Sequence, residues 1–127
     1  MTIHPFTILH VEDYKPVAEA VRDALQAEGW RVVTCVDGSA ALKRLASATP
    51  CDLLITDNCL PDAEGLEIVR YARALPRREG MPIVMFTSAD CREEARAAGV
   101  DVFLRKPEGM GELVWAVARL LDRARDG

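Results

Sequence analysis

In five successive units, a short apolar run gives way to a stretch whose apolar residues recur at helical spacing, and few architectures accept that alternation. Runs of three to six residues flanked by turn formers read as strands buried on both faces of a parallel sheet, and the helical stretches between them as crossovers. The expected strands are Thr7–Val11, Arg31–Val36, Leu53–Thr56, Pro82–Phe86 and Val102–Leu104. Right-handed crossovers then wind the sheet in the order 2-1-3-4-5, an α/β fold with a doubly wound five-stranded parallel sheet.

The crossovers carry their own punctuation. Pro16 suits a first helical turn, Val17, Val21 and Leu25 share one face, and Gly29 stops the helix. Asp37 or Ser39 caps a second helix bearing Leu42 and Leu45, which Pro50 follows. A third runs from Gly65 to Leu75 with Ile68, Ala72 and Leu75 inward, ended by Pro76. A short fourth helix spans Asp90 to Ala98 with only Ala95, Ala97 and Ala98 apolar, and a fifth runs from Met110 to about Ala124. With 127 residues, half of them hydrophobic, residues 1–127 are expected to form one domain with no output domain.

Composition removes several function classes. A net charge of −4 argues against a nucleic-acid groove, which wants a basic face, so the expected partner is a protein. The N-terminal MTIHPFTILHVED has no basic n-region, and no run approaches the roughly 18–20 apolar residues of a membrane span, so the expectation is a cytoplasmic protein with no membrane contact. Cys35, Cys51, Cys59 and Cys91 form no C-x-x-C pair and have no histidine at metal spacing; they read as reduced packing residues. His4 lies near the terminus, and His10, inside an apolar strand, reads as a hydrogen-bonded core imidazole.

Polar groups gather at four strand ends. Glu12 and Asp13 follow the first strand, Asp57 the third, Thr87 the fourth and Lys106 the fifth. The switch point of this strand order sets the ends of strands one and three side by side, so three carboxylates converge. Like charges this close call for a cation, and an all-oxygen cluster suits Mg2+. Asp57 could then attack a phosphoryl group while Lys106 and Thr87 meet the remaining oxygens. Each piece also has an ordinary reading: Glu12 and Asp13 as a cap for the first helix, Thr87 and Ser88 as a cap for the fourth, Lys106-Pro107 as a solvated turn, Asp57 as a turn residue.

The segments HVED, TDNCLPDAEG, MFTSAD and VFLRKP, in this order, resemble the receiver domain of two-component response regulators over essentially the whole chain. The resemblance implies a flavodoxin-like (βα)5 fold and assigns Asp57 as the phosphoacceptor. It makes Glu12 and Asp13 the Mg2+-binding pair, with the backbone carbonyl of Cys59 completing the shell, Thr87 the switch hydroxyl, Phe103 the switch aromatic and Lys106 the phosphate-contacting lysine. It also implies a cis bond before Pro107. The implied function is to take a phosphoryl group from a sensor histidine kinase or phosphotransfer protein and to signal to a downstream protein. Homodimerisation through the face of helix four, strand five and helix five belongs to the same expectation. The domain is then no enzyme, though it catalyses its own phosphorylation. Cys59 and Ala89 orient water poorly, so its dephosphorylation is expected to be slow.

Two departures from the family pattern stand out: Glu108 after Lys-Pro, often Phe in the family, and a stretch from Thr87 to Gly99 about one helical turn short. Rival readings lack residues. A degenerate receiver would miss a site group; an aspartyl phosphatase wants an acid where Cys59 stands; a dinucleotide fold wants G-x-G-x-x-G at the first helix.

Overall fold

The computed structural model describes residues 5–126; His4 lies outside them. Strands β1 (Thr7–Val11), β2 (Arg31–Cys35), β3 (Leu53–Thr56), β4 (Ile83–Thr87) and β5 (Val102–Arg105) form one parallel sheet in the order β2-β1-β3-β4-β5. Helices α1 (Lys15–Gln26), α2 (Gly38–Ala46), α3 (Gly65–Ala74), α4 (Arg92–Ala98) and α5 (Met110–Asp126) make the connections and cover both faces.

Period-two alternation divides the strands between two cores. Ile8, Leu53, Ile55, Val84 and Phe86 pack with Val21 and Leu25 of α1 and Leu113, Val117 and Leu121 of α5. Their neighbours Leu9, Val11, Leu54, Ile83 and Met85 face α2, α3 and α4 through Leu45, Ile68, Ala72 and Ala95. Burial on both faces is why the strands read as unbroken apolar runs, and each fully buried large side chain contributes roughly 1.5–3 kcal/mol.

Several boundaries differ from the sequence expectation. Val36 is 59% exposed and lies outside β2, while Thr87 and Arg105 extend β4 and β5 toward the functional end. The fourth helix starts at Arg92 rather than Asp90: Asp90 pairs with Arg105 at 3.6 Å instead of capping, and Cys91 occupies the cap position without a side-chain bond. Between Asp37 and Ser39 the structure selects Asp37, which accepts the Ala40 N–H at 2.8 Å.

The charged stretch after Pro76 is more than a breaker. Pro76–Arg78 forms a 3-10 turn that buries Arg78, whose guanidinium donates to the carbonyls of Leu45 (3.1 Å), Ser47 (3.0 Å) and Thr49 (2.8 Å). A cation there satisfies the orphan carbonyls at the end of α2. All four cysteines are free, and among the described residues no helix is long and apolar enough to cross a membrane.

Candidate functional site

The C-terminal ends of β1 and β3 sit side by side because β1 pairs with β2 on one flank and β3 on the other. Leaving β1, Glu12 is buried and Asp13 exposed; leaving β3, Asp57 is 7% exposed. One carboxylate oxygen from each of the three lies within 4.8 Å of the others. Lys106 reaches in from the end of β5, its Nζ donating to Glu12 Oε1 at 2.5 Å and Asp57 Oδ2 at 3.1 Å. The Lys106–Pro107 bond is cis, and the Lys106 N–H donates to the Thr87 carbonyl at 3.0 Å, tying this turn to the end of β4.

Local packing fixes the acceptor strand's exit. The Asp57 N–H bonds the Val11 carbonyl at 3.1 Å, and the Cys59 N–H reaches Asp57 Oδ1 at 3.3 Å. Buried Asn58 accepts the Leu66 N–H on its side chain and the Gly65 N–H on its carbonyl, seating the start of α3 against the site. Gly65 is obligatory there, since a Cβ would stand 2.1 Å from the Asp57 carbonyl oxygen. Thr87 is fully buried, and its Oγ1 accepts the Ala89 N–H at 3.2 Å, leaving the hydroxyl proton free for a ligand.

Three of the four ordinary readings fail on geometry, while Asp57 does make a turn bond, its Oδ1 accepting the Cys59 N–H. Tyr14, not Glu12 or Asp13, holds the α1 cap position, and it has no side-chain cap bond; the Glu12 carboxylate instead receives the Tyr14 N–H at 3.1 Å. Neither Thr87 nor Ser88 caps α4. Lys106 is no solvated turn residue, its side chain being 15% exposed. Phe103 is half-buried, with the Arg92 guanidinium over its ring at 4.8 Å.

Burial shapes the electrostatics. It pushes the Glu12 carboxyl above its usual range, against the opposing hydrogen bond from Lys106. Burial also pulls on Lys106, but the Glu12 hydrogen bond and the charges of Asp57 and Glu12 outweigh it and hold the ammonium above the ordinary lysine value. His10 corrects the sequence expectation in part: it is buried, yet its Nδ1 has no hydrogen-bond partner. Burial and the nearby Lys106 charge lower its pKa to about 4, so it is a neutral ring beneath the site.

Three hard oxygen donors beside an ammonium fit a divalent cation with open positions and a phosphoryl group between them. A cleft of about 360 Å3 at the opposite end of the sheet, lined by Gly80, Pro82, Asp101, Leu120 and Arg123, gathers no comparable chemistry.

Residues 8–118 match the family model for the response regulator receiver domain. The chain belongs to that family. Its receiver is 35% identical over 122 residues to a Mycobacterium tuberculosis protein named probable transcriptional regulatory protein TcrX, covering 94% of this chain and 51% of that protein. The chain spans about half the length of the curated relatives it matches. A CheY-like receiver from Methanospirillum hungatei superposes with a TM-score of 0.87 at 26% identity, over 98% of this chain and all of that one. The receiver domain of the Pseudomonas aeruginosa sensor histidine kinase PA1611, solved with magnesium in its active-site cleft, gives 0.80 at 30% identity, over 94% of this receiver and 99% of that one. This receiver is therefore the phosphoacceptor module of a two-component system.

The site's supporting groups were not found from sequence. Asn58 stands seven residues ahead of α3, whose cap position is Glu64, so no local capping pattern marks its bond to the Leu66 N–H. Asp62, whose carboxylate bonds the start of α2, carries no local pattern at all.

Proposed function

We propose that Asp57 accepts a phosphoryl group from a kinase or phosphotransfer phosphohistidine in a Mg2+-dependent step. The observation that carries this is the three-carboxylate cluster at the switch point with Lys106 bonded to both Glu12 and Asp57. A carboxylate oxygen of Asp57 attacks phosphorus, the P–N bond breaks, and its electron pair returns to the donor imidazole as the acyl phosphate forms. Glu12, Asp13, Asp57 and the Cys59 carbonyl would hold Mg2+, which supplies the positive charge that carboxylates and phosphoryl oxygens share. Lys106 holds Asp57 in place before transfer and turns to a phosphoryl oxygen afterwards, while the Thr87 hydroxyl donates to another. Incubating the protein with a small phosphodonor and following its intact mass tests the proposal. One phosphoryl mass should appear with Mg2+ and none with EDTA; gain that ignores EDTA would overturn it.

The domain catalyses only its own phosphorylation and slow dephosphorylation, because neither exposed Cys59 nor half-buried Ala89 offers a group to orient attacking water. Replacing Ala89 by Glu and Cys59 by Asn should shorten the acyl-phosphate half-life several-fold in a chase experiment, and an unchanged or longer half-life would refute this.

Output runs through protein contacts at the edge strand. β5 ends the sheet and carries half-buried Phe103, and α5 presents Trp115, which is 65% exposed with the Arg119 guanidinium over its ring at 4.9 Å. A downstream target or a second copy of the domain docks on this α4–β5–α5 face. The acidic charge of −4 disfavours nucleic acid as a direct partner of the domain, and the free cysteines suit the reducing cytoplasm.

A further inference from the structure

Helix α2 is capped twice at its start. Asp37 accepts the Ala40 N–H at 2.8 Å, which is the ordinary cap. Asp62, 24 residues away from Gly38 in the chain, adds a second carboxylate: Oδ1 accepts the Gly38 N–H at 2.7 Å and Oδ2 the Ser39 N–H at 3.0 Å. Those two bonds hold Asp62 below the usual aspartate range, so it is a carboxylate at neutral pH.

Asp37 satisfies only the Ala40 N–H, so Asp62 answers two further orphan donors of α2, and the same bond pair, read from the other side, anchors the loop that carries Asp62. That loop leaves Asp57 and is folded tightly on itself. The Leu60 N–H bonds the Ala63 carbonyl at 3.2 Å, Cys59 and Glu64 form an antiparallel bridge, and the Glu64 N–H reaches the Glu67 carboxylate at 3.3 Å. The loop is stiff across its neck and Leu60 packs against the core, while the hydrogen bonds that tie its tip to α2 come from the Asp62 carboxylate. Ala63 presses directly on the start of α2: a Cβ on Gly38 would stand 2.8 Å from the Ala63 Cβ and 3.1 Å from Asp62 Oδ1.

We infer that Asp62 is a positioning residue of the phosphorylation site, clamping the loop to α2 so that the Cys59 backbone carbonyl is held where the metal-binding cluster needs it. Asp62 itself touches neither metal nor phosphoryl group. It acts through the folded loop, and Gly38 is its counterpart because only glycine lets the loop approach. This rests on the role proposed above for Cys59.

The test measures Mg2+ affinity by calorimetry on the full chain, with urea denaturation alongside to register stability separately. Asp62→Ala should weaken Mg2+ binding by about tenfold, as losing a partner that orients a ligand does, and Asp62→Asn, which keeps one acceptor oxygen, should recover part of it. Gly38→Ala pushes the loop away from the opposite side and should weaken binding in the same direction. Combined with Asp62→Ala it should add little, since both break one contact. In the metal-free protein, amide exchange at residues 59–64 should quicken in both single variants. Wild-type Mg2+ affinity in Asp62→Ala, or losses that multiply in the double variant, would overturn the inference. Were wild type itself to bind no Mg2+, the proposed function would fall instead. The exchange experiment would then decide the clamp, with unchanged exchange at residues 59–64 ruling it out.

Discussion

Replacing Lys106 by methionine should destabilise the metal-free protein by about 3 kcal/mol at pH 8, the low end of what removing one partner of a buried ion pair costs. The ammonium is the group that hydrogen-bonds both Glu12 and Asp57, which are 1% and 7% exposed. Methionine keeps the stem's packing and removes the charge, leaving two carboxylates facing each other. Because the folded-state pKa of Lys106 lies above the ordinary lysine value, its contribution is fully present at pH 8 and fades only as pH rises through that folded value. Two rescues should follow. Glu12 already has a raised pKa, so the folded variant binds its proton more readily than the unfolded chain, and the deficit should shrink as pH falls toward 5. Millimolar Mg2+ should also return most of the lost stability, since binding only the folded state stabilises it. Urea denaturation in EDTA and in Mg2+ reads both, and a variant as stable as wild type in EDTA would mean that Lys106 does not hold the cluster together.

The second large effect concerns α4. This seven-residue helix is held very unequally at its two ends. At its C-terminus Gly99 takes φ 110°, and the N–H groups of Gly99 and Val100 return to the Ala95 carbonyl. Arg73 of α3 adds bonds to the Gly99 carbonyl at 2.7 and 3.1 Å and to Asp101 at 3.0 Å. The N-terminus has no side-chain cap, and Ala95 is the helix's one fully buried residue. It is restrained by buried Cys91 at the cap position, by the exposed Asp90–Arg105 pair, by the Ala89 N–H on Thr87 Oγ1 and by Arg92 over Phe103. A phosphoryl group drawing in the Thr87 hydroxyl would remove the Ala89 restraint and let Phe103 repack, which would disturb the contact with Arg92. Phosphorylation, or a beryllofluoride mimic, should therefore change amide exchange by about tenfold across residues 88–94 and at Phe103, a coupling in the usual range of 1–3 kcal/mol. Residues 95–99 should stay as they were, held by Arg73. Changes confined to the loops around Asp57, with residues 88–105 unaltered, would rule this switch out.

How much of this was legible in the sequence follows from the range of each interaction. The sheet order, the two-faced strands and the convergence of Glu12, Asp13, Asp57 and Lys106 all follow from periodicity and chain handedness, which act at every residue and leave a repeating trace. Arg78 on the end of α2, Arg73 on the end of α4 and Asp62 on the start of α2 are single side chains meeting backbone groups 23 to 33 positions away. Either arginine in PRREG, or a lone aspartate after a proline, looks the same whether it is solvated or clamped. The start of α4 at Arg92 has the same origin: Asp90 is a good cap by type, but its exposed side chain lies toward Arg105 across the loop and Cys91 holds the cap position.

The central claim is that Asp57 is the acceptor, and one comparison tests it most directly: intact mass of wild type and Asp57→Asn after incubation with a small phosphodonor and Mg2+. Asparagine keeps the shape of the site and removes the nucleophilic carboxylate. Wild type should gain one phosphoryl mass and Asp57→Asn none; equal gain by the two would contradict the account.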